Sequence, residues 1–477
     1  MRHSIPFITF ILLFILVGSG SIVYVNAAEQ QPCISCHEAA TPGIIGQWRD
    51  SKHSQAGVEC LDCHQATPTE PDAFEHHGST IAIIVSPTDC SQCHPAEYAE
   101  NKGSHHAKAG QILGSLDNLL GEVVGGEPAV NAGCRQCHGG TVKVDNKGRP
   151  TSDTWPNTGM GRINPDGSWG SCTACHTRHE FSVRQARQPE GCGKCHLGPD
   201  HPQIEVWNES KHGVMYHANR ESMNLDKEVW RPGQEYFSGP TCASCHMGAT
   251  TKQPFTHDVG ERISWTLRPA ISTKLNMVIF EDDMKDDITG DNPNLPVVGS
   301  MYQTKTGEMK KVKGTLTWIQ RRERMQTVCL NCHEKSFVEG AYTQFDDVVY
   351  LYNEKFAIPA KNVMDELVKT GKISKADFDD PIEWTWYEIW HHEGRRTRHG
   401  ASMQGPDYTW WHGMYEVAKH FYGDFVPELR EVAGDSLAKV LLEKYVYTHP
   451  GNLWYRDGMS KEALENIQKF YRDRYGQ

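Results

Sequence analysis

Residues 170–182 read GSCTACHTRHEFS, and within them Cys172, Cys175 and His176 form the pattern CxxCH. This pattern attaches a c-type haem, because the two cysteine sulfurs bond the porphyrin and the histidine binds the iron from one side. Another histidine, His179, follows three residues later. The second axial position of such an iron either takes a histidine or stays open for a small molecule, and this choice separates an electron carrier from an enzyme.

All 16 cysteines of the 477-residue chain belong to CxxCH patterns. A thioredoxin-like pair, half of a zinc site or a disulfide framework would explain one CxxC, but none of these requires a histidine after every second cysteine. The sequence therefore predicts eight covalently bound c-type haems. The predicted thioether residues are Cys33 and Cys36, Cys60 and Cys63, Cys90 and Cys93, Cys134 and Cys137, Cys172 and Cys175, Cys192 and Cys195, Cys242 and Cys245, and Cys329 and Cys332. The predicted proximal iron ligands are His37, His64, His94, His138, His176, His196, His246 and His333.

The chain begins with a segment that resembles a secretory leader. Arg2 precedes an apolar run from Ile5 to Val17, and small residues up to Ala27 follow, as at a signal-peptide cleavage site. The uncharged stretch is nearly long enough to span a bilayer, so an uncleaved anchor is the alternative. We predict that residues 1–27 are a signal peptide and that the mature chain works in the periplasm or another extracytoplasmic compartment, without stable membrane insertion.

The composition is acidic and only moderately hydrophobic. Acidic residues outnumber basic ones by 60 to 48, which gives a formal net charge of −12, and this balance disfavours nucleic acid and favours a positively charged electron-transfer partner. The hydrophobic fraction of 38% is low for so long a chain, so haem groups are expected to fill part of the interior. The run EDDMKDD (281–287) lacks the spacing of an EF-hand and is interpreted as a solvated acidic loop.

The arrangement of the motifs divides the chain into two parts. Residues 28–335 carry the haem motifs, separated by segments rich in Gly, Pro, Asn and Asp, whereas residues 336–477 contain no cysteine and show helical periodicity. We predict a mainly α fold with a loop-rich octahaem region and a C-terminal helical domain packed against it. One apolar stripe, ended by Pro359, consists of Val338, Tyr342, Phe345, Val349, Tyr352 and Phe356, and a second consists of Trp410, Met414, Val417 and Phe421.

Three short segments place a serine two residues before a histidine. Serine at a helix start accepts backbone N–H bonds, so each serine is expected to open a helix and to aim its histidine from the first turn. The pairs are Ser51 with His53, Ser104 with His106, and Ser210 with His212. These three histidines and His201 are predicted distal ligands, and the remaining choices are His76 or His77, His399 and His412. The 25 histidines suffice to close all eight irons, so counting alone cannot reveal an open one.

The sequence around the motifs resembles the octahaem hydroxylamine oxidoreductase family, including its hydrazine-oxidising members. The stretches that carry the resemblance are SWGSCTACHTRHEFS (168–182), CGKCHLGPDHPQIEVWNESKHG (192–213), THDVGERISWTLRP (256–269), RRERMQTVCLNCH (321–333) and RHGASMQGPDYTWWHG (398–413). The resemblance implies a mostly helical fold, a homotrimer, a small nitrogenous substrate, a partner cytochrome, and seven bis-histidine haems beside one five-coordinate catalytic haem. By its order in the chain, the catalytic haem is the fourth, held by Cys134, Cys137 and His138.

The resemblance also implies further residues at the catalytic haem. A histidine and an acid above the iron move protons in this family, and His179 and the pair His257 and Asp258 are the candidates. For both histidines the alternative is a distal haem ligand, and His257 has the further alternative of a structural histidine. Oxidative members bond a C-terminal tyrosine of the neighbouring subunit to the porphyrin. Tyr408 is the candidate for that cross-link, with an ordinary aromatic at a helix start as the alternative.

Three functions are consistent with these features. The first is an enzyme that oxidises hydroxylamine or hydrazine at the fourth haem and passes electrons through the other seven. The second is a reductive member of the family that converts nitrite or hydroxylamine to ammonia. Related octahaem and pentahaem nitrite reductases carry CxxCK at the catalytic haem, whereas all eight motifs here end in histidine, which disfavours a member of those reductases but leaves reductive members of the hydroxylamine family open. The third is an electron conduit in which every iron is closed by histidine.

Overall fold

The computed structural model describes residues 32–112, 119–291 and 294–476. The predicted leader, residues 1–27, lies outside these ranges. Helices dominate the described chain, and the predicted mainly α class is confirmed. A search of the described helices for an apolar stretch of membrane-spanning length found none.

The haem-motif part consists of short helices joined by turns. Few of them exceed two turns, because prolines and glycines start and stop them repeatedly. The α-helices are Pro32–Ala40, Pro42–Asp50, Lys52–Gln55, Cys60–His64, Pro87–Ser91, Pro95–Lys102, Ala109–Ile112, Glu127–Ala129, Arg135–His138, Val183–Arg187, Pro189–Gly193, Gln203–Glu209, Lys211–Ala218, Cys242–His246 and Trp318–Cys329. Turns of 3₁₀ geometry span Cys172–Ala174 and Arg220–Met223, and turns of π geometry span Leu120–Gly125 and Val130–Cys134.

The C-terminal part is built from longer, interrupted helices. Its α-helices are Lys335–Tyr352, Ile358–Lys369, Pro381–Tyr387, Gly394–Met403, Pro406–Thr409, Glu416–His420, Val426–Ala433, Asp435–Leu441, Leu453–Asp457 and Lys461–Tyr475. Turns of π geometry span Asn353–Ala357, Glu388–Glu393, Trp410–Tyr415, Phe421–Phe425 and Leu442–Val446, and a 3₁₀ turn spans Pro450–Asn452.

The first predicted apolar stripe continues further than expected. Pro359 does not end the helix, because the π turn at 353–357 adds a residue to the helix before the proline and the chain continues as Ile358–Lys369 with Pro359 in its first turn. A proline has no backbone N–H to donate, and the π turn before Pro359 changes the hydrogen-bond pattern so that the helix can continue without that donor. The stripe itself is buried as predicted, with Val349 and Tyr352 fully inaccessible.

The largest apolar core lies in the C-terminal part. It is formed by residues between 352 and 446, and Phe356, Val417, Phe421 and Leu429 are almost completely buried in it. The second predicted stripe contributes three of its four members to this core, whereas Trp410 remains about half exposed at 52%. Aliphatic and aromatic burial therefore stabilises this part of the chain in the ordinary way.

Arginines attach the C-terminal part to the haem-motif part. Helix Gly394–Met403 carries Arg395, Arg396 and Arg398, whose guanidinium groups donate to the backbone carbonyls of Arg268, Pro199 and Pro269 at 2.9, 2.6 and 2.9 Å. Arg398 is fully buried, and a buried cation that satisfies several carbonyls is costly to misplace. This helix therefore fixes where the C-terminal part meets residues 199–269.

A β-sheet forms where the sequence analysis expected a loop. The strands are Phe74–His76 (β1), Ser79–Ile81 (β2), Trp265–Thr266 (β3), Thr273–Phe280 (β4), Lys285–Thr289 (β5), Met301–Gln303 (β6) and Met309–Leu316 (β7). β1 and β2 form a hairpin, and β4 pairs antiparallel with β3, β5 and β7, with β6 added beside β7. Residues 281–284 of the acidic run form the turn of the β4–β5 hairpin, as a loop interpretation expects, but residues 285–287 belong to β5, where that interpretation was wrong.

One buried arginine explains why the acidic strand is held in place. Arg321 is fully inaccessible and donates to the carboxylate of Asp287 at 3.1 Å, to the carbonyl of Leu275 at 3.1 Å and to that of Gly260 at 2.6 Å. Charge-assisted hydrogen bonds of this kind compensate the desolvation of both ions. Arg321 thereby joins β4, β5 and the segment that carries His257.

The C-terminal core predicts a stability difference between two phenylalanines. Phe421→Ala removes a fully buried ring and should lower the free energy of unfolding by about 3–5 kcal/mol. Phe470→Ala, in a helix without buried residues, should change it by less than about 0.5 kcal/mol. Denaturant unfolding of both variants, followed by far-ultraviolet circular dichroism, tests this. Equal losses would show that the core is not where the structure has it.

Candidate haem-binding sites

Each CxxCH motif is closed as a helical turn. The backbone N–H of the motif histidine donates to the carbonyl of the first cysteine, at 2.9 Å between His94 and Cys90 and at 3.0 Å between His176 and Cys172. This bond is the i to i−4 bond of an α-helix, so both cysteine side chains and the imidazole project from one turn. All 16 cysteines lie in the described ranges, and none forms a disulfide.

Six motif histidines have a second histidine ring opposite them. The two ring centres in each pair are separated by 6.0 to 6.5 Å. The pairs are His37 with His76, His64 with His179, His94 with His53, His176 with His257, His196 with His106, and His333 with His212. The partners come from distant parts of the chain, so tertiary folding creates every pair.

The ring separation fits two imidazoles on one iron. A histidine nitrogen binds a first-row metal at about 2 Å, so rings on opposite sides of one iron have centres about 6 Å apart. Apolar side chains next to these rings are exposed: Phe337 stacks on His333 at 4.8 Å and is 56% exposed, and Phe255 lies 4.8 Å from His257. Exposed apolar surface facing a gap between two imidazoles suits the face of a porphyrin.

The paired histidines are kept in the form that binds metal. Burial lowers the pKa of His106 and of His176 to about 4, and it lowers the pKa of His196 to about 3, with nearby cationic groups adding to the effect. An imidazole must be neutral to coordinate a metal. These three side chains are therefore neutral throughout the physiological pH range, the form in which an imidazole can bind iron.

The three serine–histidine segments behave largely as predicted. Ser51 and Ser210 open the helices Lys52–Gln55 and Lys211–Ala218, and their hydroxyls accept the N–H of the residue three positions later at 3.0 and 3.2 Å. Ser104 accepts the N–H of Ala107 at 3.3 Å, but only a turn follows it. All three serines are buried. The histidine two residues after each serine faces a motif histidine.

The hairpin decides between His76 and His77. His76 is the last residue of β1 and faces His37, whereas His77 occupies the turn with a φ of 48°. A two-residue hairpin turn needs left-handed backbone at both positions, which His77 and Gly78 supply. His77 is therefore a turn residue, and the geometry favours His76 over the predicted His77 as the partner of His37.

The two predicted catalytic histidines lie elsewhere than expected. His179 faces His64 at 6.4 Å, and His257 faces His176 at 6.5 Å. This arrangement fits the alternative given for both histidines in the sequence, a distal haem ligand instead of a catalytic residue. Asp258 is buried and pairs with Lys285 Nζ at 2.9 Å.

The three C-terminal candidates lie apart from these ring pairs. His399 is buried, with its Nε2 3.5 Å from Gln203 Nε2, and the ring contacts of the described residues pair it with no motif histidine. His412 is about half exposed, with its ring 5.4 Å from that of Tyr408 and its nitrogens near Asp407 and Glu416. Tyr408 is half-buried, and its backbone N–H donates to Glu209 Oε1 at 3.2 Å. This geometry does not support His399 and His412 as distal ligands.

Cysteine thiols of different motifs interact with one another. Because each sulfur would carry a porphyrin edge, interacting thiols indicate neighbouring porphyrin edges. The thiols that hydrogen-bond across motifs are Cys33 with Cys60, Cys90 with Cys172, Cys137 with Cys195, and Cys192 with Cys242. At longer range Cys63 interacts with Cys90, Cys175 with Cys192, and Cys245 with Cys329. The attachment sites thus form one connected series (1, 2, 3, 5, 6, 7, 8), with the fourth joined to the sixth.

The fourth motif has distinct surroundings. Two π turns precede it, and the second ends at Cys134. Single π turns recur at functional sites. His138 Nδ1 lies 3.4 Å from the carbonyl of Ala109, and a cavity of about 430 Å³ adjoins the motif. The charged residues among those lining the cavity are Glu122, Glu127, Arg135, Lys143 and Asp153.

An acid and a histidine lie between the fourth and sixth motifs. The ring of His201 is 6.3 Å from that of His196, and it interacts electrostatically with Cys137. His201 Nδ1 lies 2.5 Å from Asp200 Oδ1, and Arg395 donates to the other oxygen of Asp200 at 3.1 Å. Burial would raise the pKa of Asp200, but the hydrogen bond and positive charge of His201, with His391 and Arg395, lower it to about 2.

Asp200 was missed by the sequence analysis. His201 was singled out only as a distal ligand, yet His196 already has His106 at 6.0 Å, so His201 is a second histidine near the same motif. A signal was present, since an acid directly before a histidine five residues after a CxxCH is a titratable pair beside a haem.

Parts of the chain are similar to known proteins. A family model described as "Seven times multi-haem cytochrome CxxCH" matches residues 161–289, and one described as "Cytochrome c554 and c-prime" matches residues 89–161. A probable nitrite reductase-hydroxylamine oxidoreductase fusion protein of Kuenenia stuttgartiensis is 31% identical over 243 residues. That match covers 45% of this chain and 25% of the relative, so the chain corresponds to about a quarter of its length.

Solved structures agree over most of the chain. A hypothetical multihaem protein has a TM-score of 0.65 and 26% identity, and the alignment covers 86% of this chain and 95% of that one. A reducing hydroxylamine-oxidoreductase-like protein complex of Kuenenia stuttgartiensis has a TM-score of 0.56 at 20% identity, covering 86% and 85%, and this likeness concerns the fold alone. Together with the motif turns and ring pairs, these likenesses identify a multihaem c-type cytochrome that is similar to hydroxylamine oxidoreductase-like proteins.

Proposed function

We propose that this chain is an extracytoplasmic oxidoreductase that binds eight c-type haems and oxidises hydroxylamine, or the related compound hydrazine, at the haem of the fourth motif. The observation that carries the proposal is the Asp200–His201 pair, which lies beside Cys137 of that motif and is not needed to pair with His196. When bound, the haems supply iron that changes oxidation state and exchanges electrons.

The ring pairs support an assignment of the axial ligands. We assign His76, His179, His53, His257, His106 and His212 as the distal ligands opposite the first, second, third, fifth, sixth and eighth motif histidines. His179 and His257 thereby move from catalytic candidates to distal ligands. The proton-handling role moves to His201, with Asp200 as its acid.

His201 suits proton transfer because of its partner. Oxidation of hydroxylamine removes protons together with electrons, so a neutral imidazole must accept them near the iron. Asp200 stays anionic and accepts the hydrogen bond of His201 Nδ1–H, which fixes the tautomer that leaves Nε2 to take a proton and stabilises the imidazolium that forms. Arg395 holds Asp200 in the orientation that this requires.

The cavity at the fourth motif suits a small polar substrate. Its charged lining, including Glu122, Arg135 and Asp153, offers hydrogen-bond donors and acceptors. An apolar substrate would leave these groups desolvated and unpaired, which disfavours its binding. Hydroxylamine and hydrazine carry N–H or O–H groups that can pair with the lining.

Tyr408 remains our candidate for a bond to a haem of a neighbouring subunit. It lies in a surface with three exposed aromatic residues, Trp410, Trp411 and Tyr415, which are between 47% and 56% accessible. Exposed aromatic residues in one patch are typical of the centre of a protein interface. A homotrimer would bury this patch and bring Tyr408 to a second chain, and a partner cytochrome would exchange the electrons.

A reductive function is the second candidate. The relative named as a nitrite reductase-hydroxylamine oxidoreductase fusion supports it. The same proton pair would then deliver protons during reduction of nitrite or hydroxylamine to ammonia.

The axial assignment predicts the spectra of two variants in one helix. His212→Ala should convert one low-spin bis-histidine signal into a high-spin signal, because it removes the ring opposite His333. His217→Ala in the same helix should leave all signals unchanged, because His217 hydrogen-bonds Asn208 instead. Electron paramagnetic resonance of the oxidised proteins measures this. An unchanged spectrum of the first variant would remove the assignment.

The catalytic assignment predicts a loss of rate without a loss of ligation. His201→Ala should lower kcat for hydroxylamine oxidation by roughly 10²- to 10⁴-fold, the range found for removal of a general base. All low-spin signals should persist, because His106 remains opposite His196. His217→Ala is again the control and should keep full activity. Disappearance of a low-spin signal would instead identify His201 as a ligand.

The direction of catalysis is decided by two assays on the same preparation. We expect hydroxylamine-dependent reduction of an acceptor to exceed nitrite reduction with a reduced donor, and we expect Tyr408→Phe to abolish the shifted absorption band of a cross-linked haem. Faster nitrite reduction in a protein without that band would establish the reductive function. Failure of the reduced protein to bind carbon monoxide would leave only the electron conduit.

A further inference from the structure

A carboxylate lies beside one of the paired histidines. Glu100, in helix Pro95–Lys102, accepts the backbone N–H of His257 at 2.7 Å, and the same Oε2 lies 3.7 Å from His257 Nδ1. The ring of His257 faces His176 at 6.5 Å. The charge of Glu100 therefore faces the ring nitrogen that points away from the position of the iron, if His257 binds through Nε2.

The neighbouring charges do not cancel this carboxylate. Lys285 Nζ donates to the backbone carbonyl of Glu100 at 2.6 Å, but its ionic partner is Asp258 Oδ2 at 2.9 Å. Asp258 also interacts with the cations Arg321 and Arg324, whereas the ion-pair contact of the Glu100 carboxylate among the described residues is the one with His257. The ring of Phe255, 4.8 Å from that of His257, adds apolar surface on another side.

Other paired histidines have neutral partners at the same atom. His64 Nδ1 lies 2.8 Å from the carbonyl of Ala82, and His37 Nδ1 lies 2.7 Å from the hydroxyl of Thr41. The His176–His257 pair differs from these two by the adjacent carboxylate. A group that interacts with the outer nitrogen of a ligating histidine changes its basicity and hence the properties of the metal.

We propose that Glu100 is a positioning residue that lowers the reduction potential of the haem between His176 and His257. Negative charge next to an axial imidazole strengthens its donation to iron and favours the ferric state, so this haem is harder to reduce than those with neutral partners. The inference rests on the proposed axial role of His257, and not on the identity of the substrate.

The lowered reduction potential of this haem would affect electron transfer, because its attachment site lies between others in the series. Its attachment site interacts with the third through the thiols of Cys90 and Cys172, and with the sixth, electrostatically, through those of Cys175 and Cys192. The fourth site joins the series at the sixth through Cys137 and Cys195. Glu100 thereby lowers the reduction potential of the fifth haem, through which electrons would pass between the first three haems and the sixth haem, to which the fourth is joined.

The test is a redox titration of the holoprotein without substrate, followed by electron paramagnetic resonance. Glu100→Gln removes the charge but keeps an oxygen that can accept the His257 N–H. We expect one low-spin signal to shift to a higher midpoint potential while the others stay in place. Glu97→Gln, one turn earlier in the same helix, removes an equal charge and should leave that signal unchanged. The signal that His257→Ala converts to high spin identifies the haem.

Two results would overturn the inference. One is a shift in Glu100→Gln that is no larger than the shift in Glu97→Gln, and the other is an equal shift of all signals. Retention of every low-spin signal in His257→Ala would also overturn it, by removing the axial role. None of these results depends on hydroxylamine turnover, so the proposed function stands or fails separately, in the His201→Ala assay.

Discussion

Two imidazoles held about 6 Å apart on opposite sides of one iron are the constraint on which this structure depends. One ring of each pair is fixed by a local turn, since the CxxCH histidine bonds back to its first cysteine. The other ring must come from elsewhere and arrive within a fraction of an ångström. Many short helices, several of them opened by a serine or a proline, meet this requirement better than a few long helices, because each one can aim a single side chain.

The same constraint explains how the chain manages with little aliphatic core in its first part. Apolar clusters between residues 32 and 335 are small, whereas the large cluster lies between 352 and 446. Where a porphyrin would supply the buried apolar surface, the side chains beside the paired rings remain exposed, as with Phe337 at His333. The C-terminal helices therefore form a conventional core, and they use it to present Arg395 and Arg398 to the haem-motif part.

Two buried ionic arrangements connect this scaffold to the chemistry. Arg321 joins the sheet to the segment of His257, and Arg395 joins the C-terminal helices to Asp200. Arg321 positions the segment that carries the proposed ligand His257, and Arg395 orients Asp200, which bonds the proposed proton acceptor His201. A shift of the helix or strand that carries either arginine would therefore change the position of these groups. A buried ion pair contributes little net stability, but it fixes one arrangement among several.

The sequence alone determined the local chemistry: eight CxxCH turns, the helical class, the apolar stripes of the C-terminal part and the serines that aim His53 and His212. These features depend on residues within a few positions of one another, where spacing dictates geometry. Tertiary structure decided which histidine faces which motif, as with His179 and His64, and why His76 and not His77 faces His37. It also decided that 281–287 forms a hairpin and that Asp200 and His201 lie beside the fourth motif. Such choices depend on contacts between residues tens to hundreds of positions apart, which no local pattern specifies.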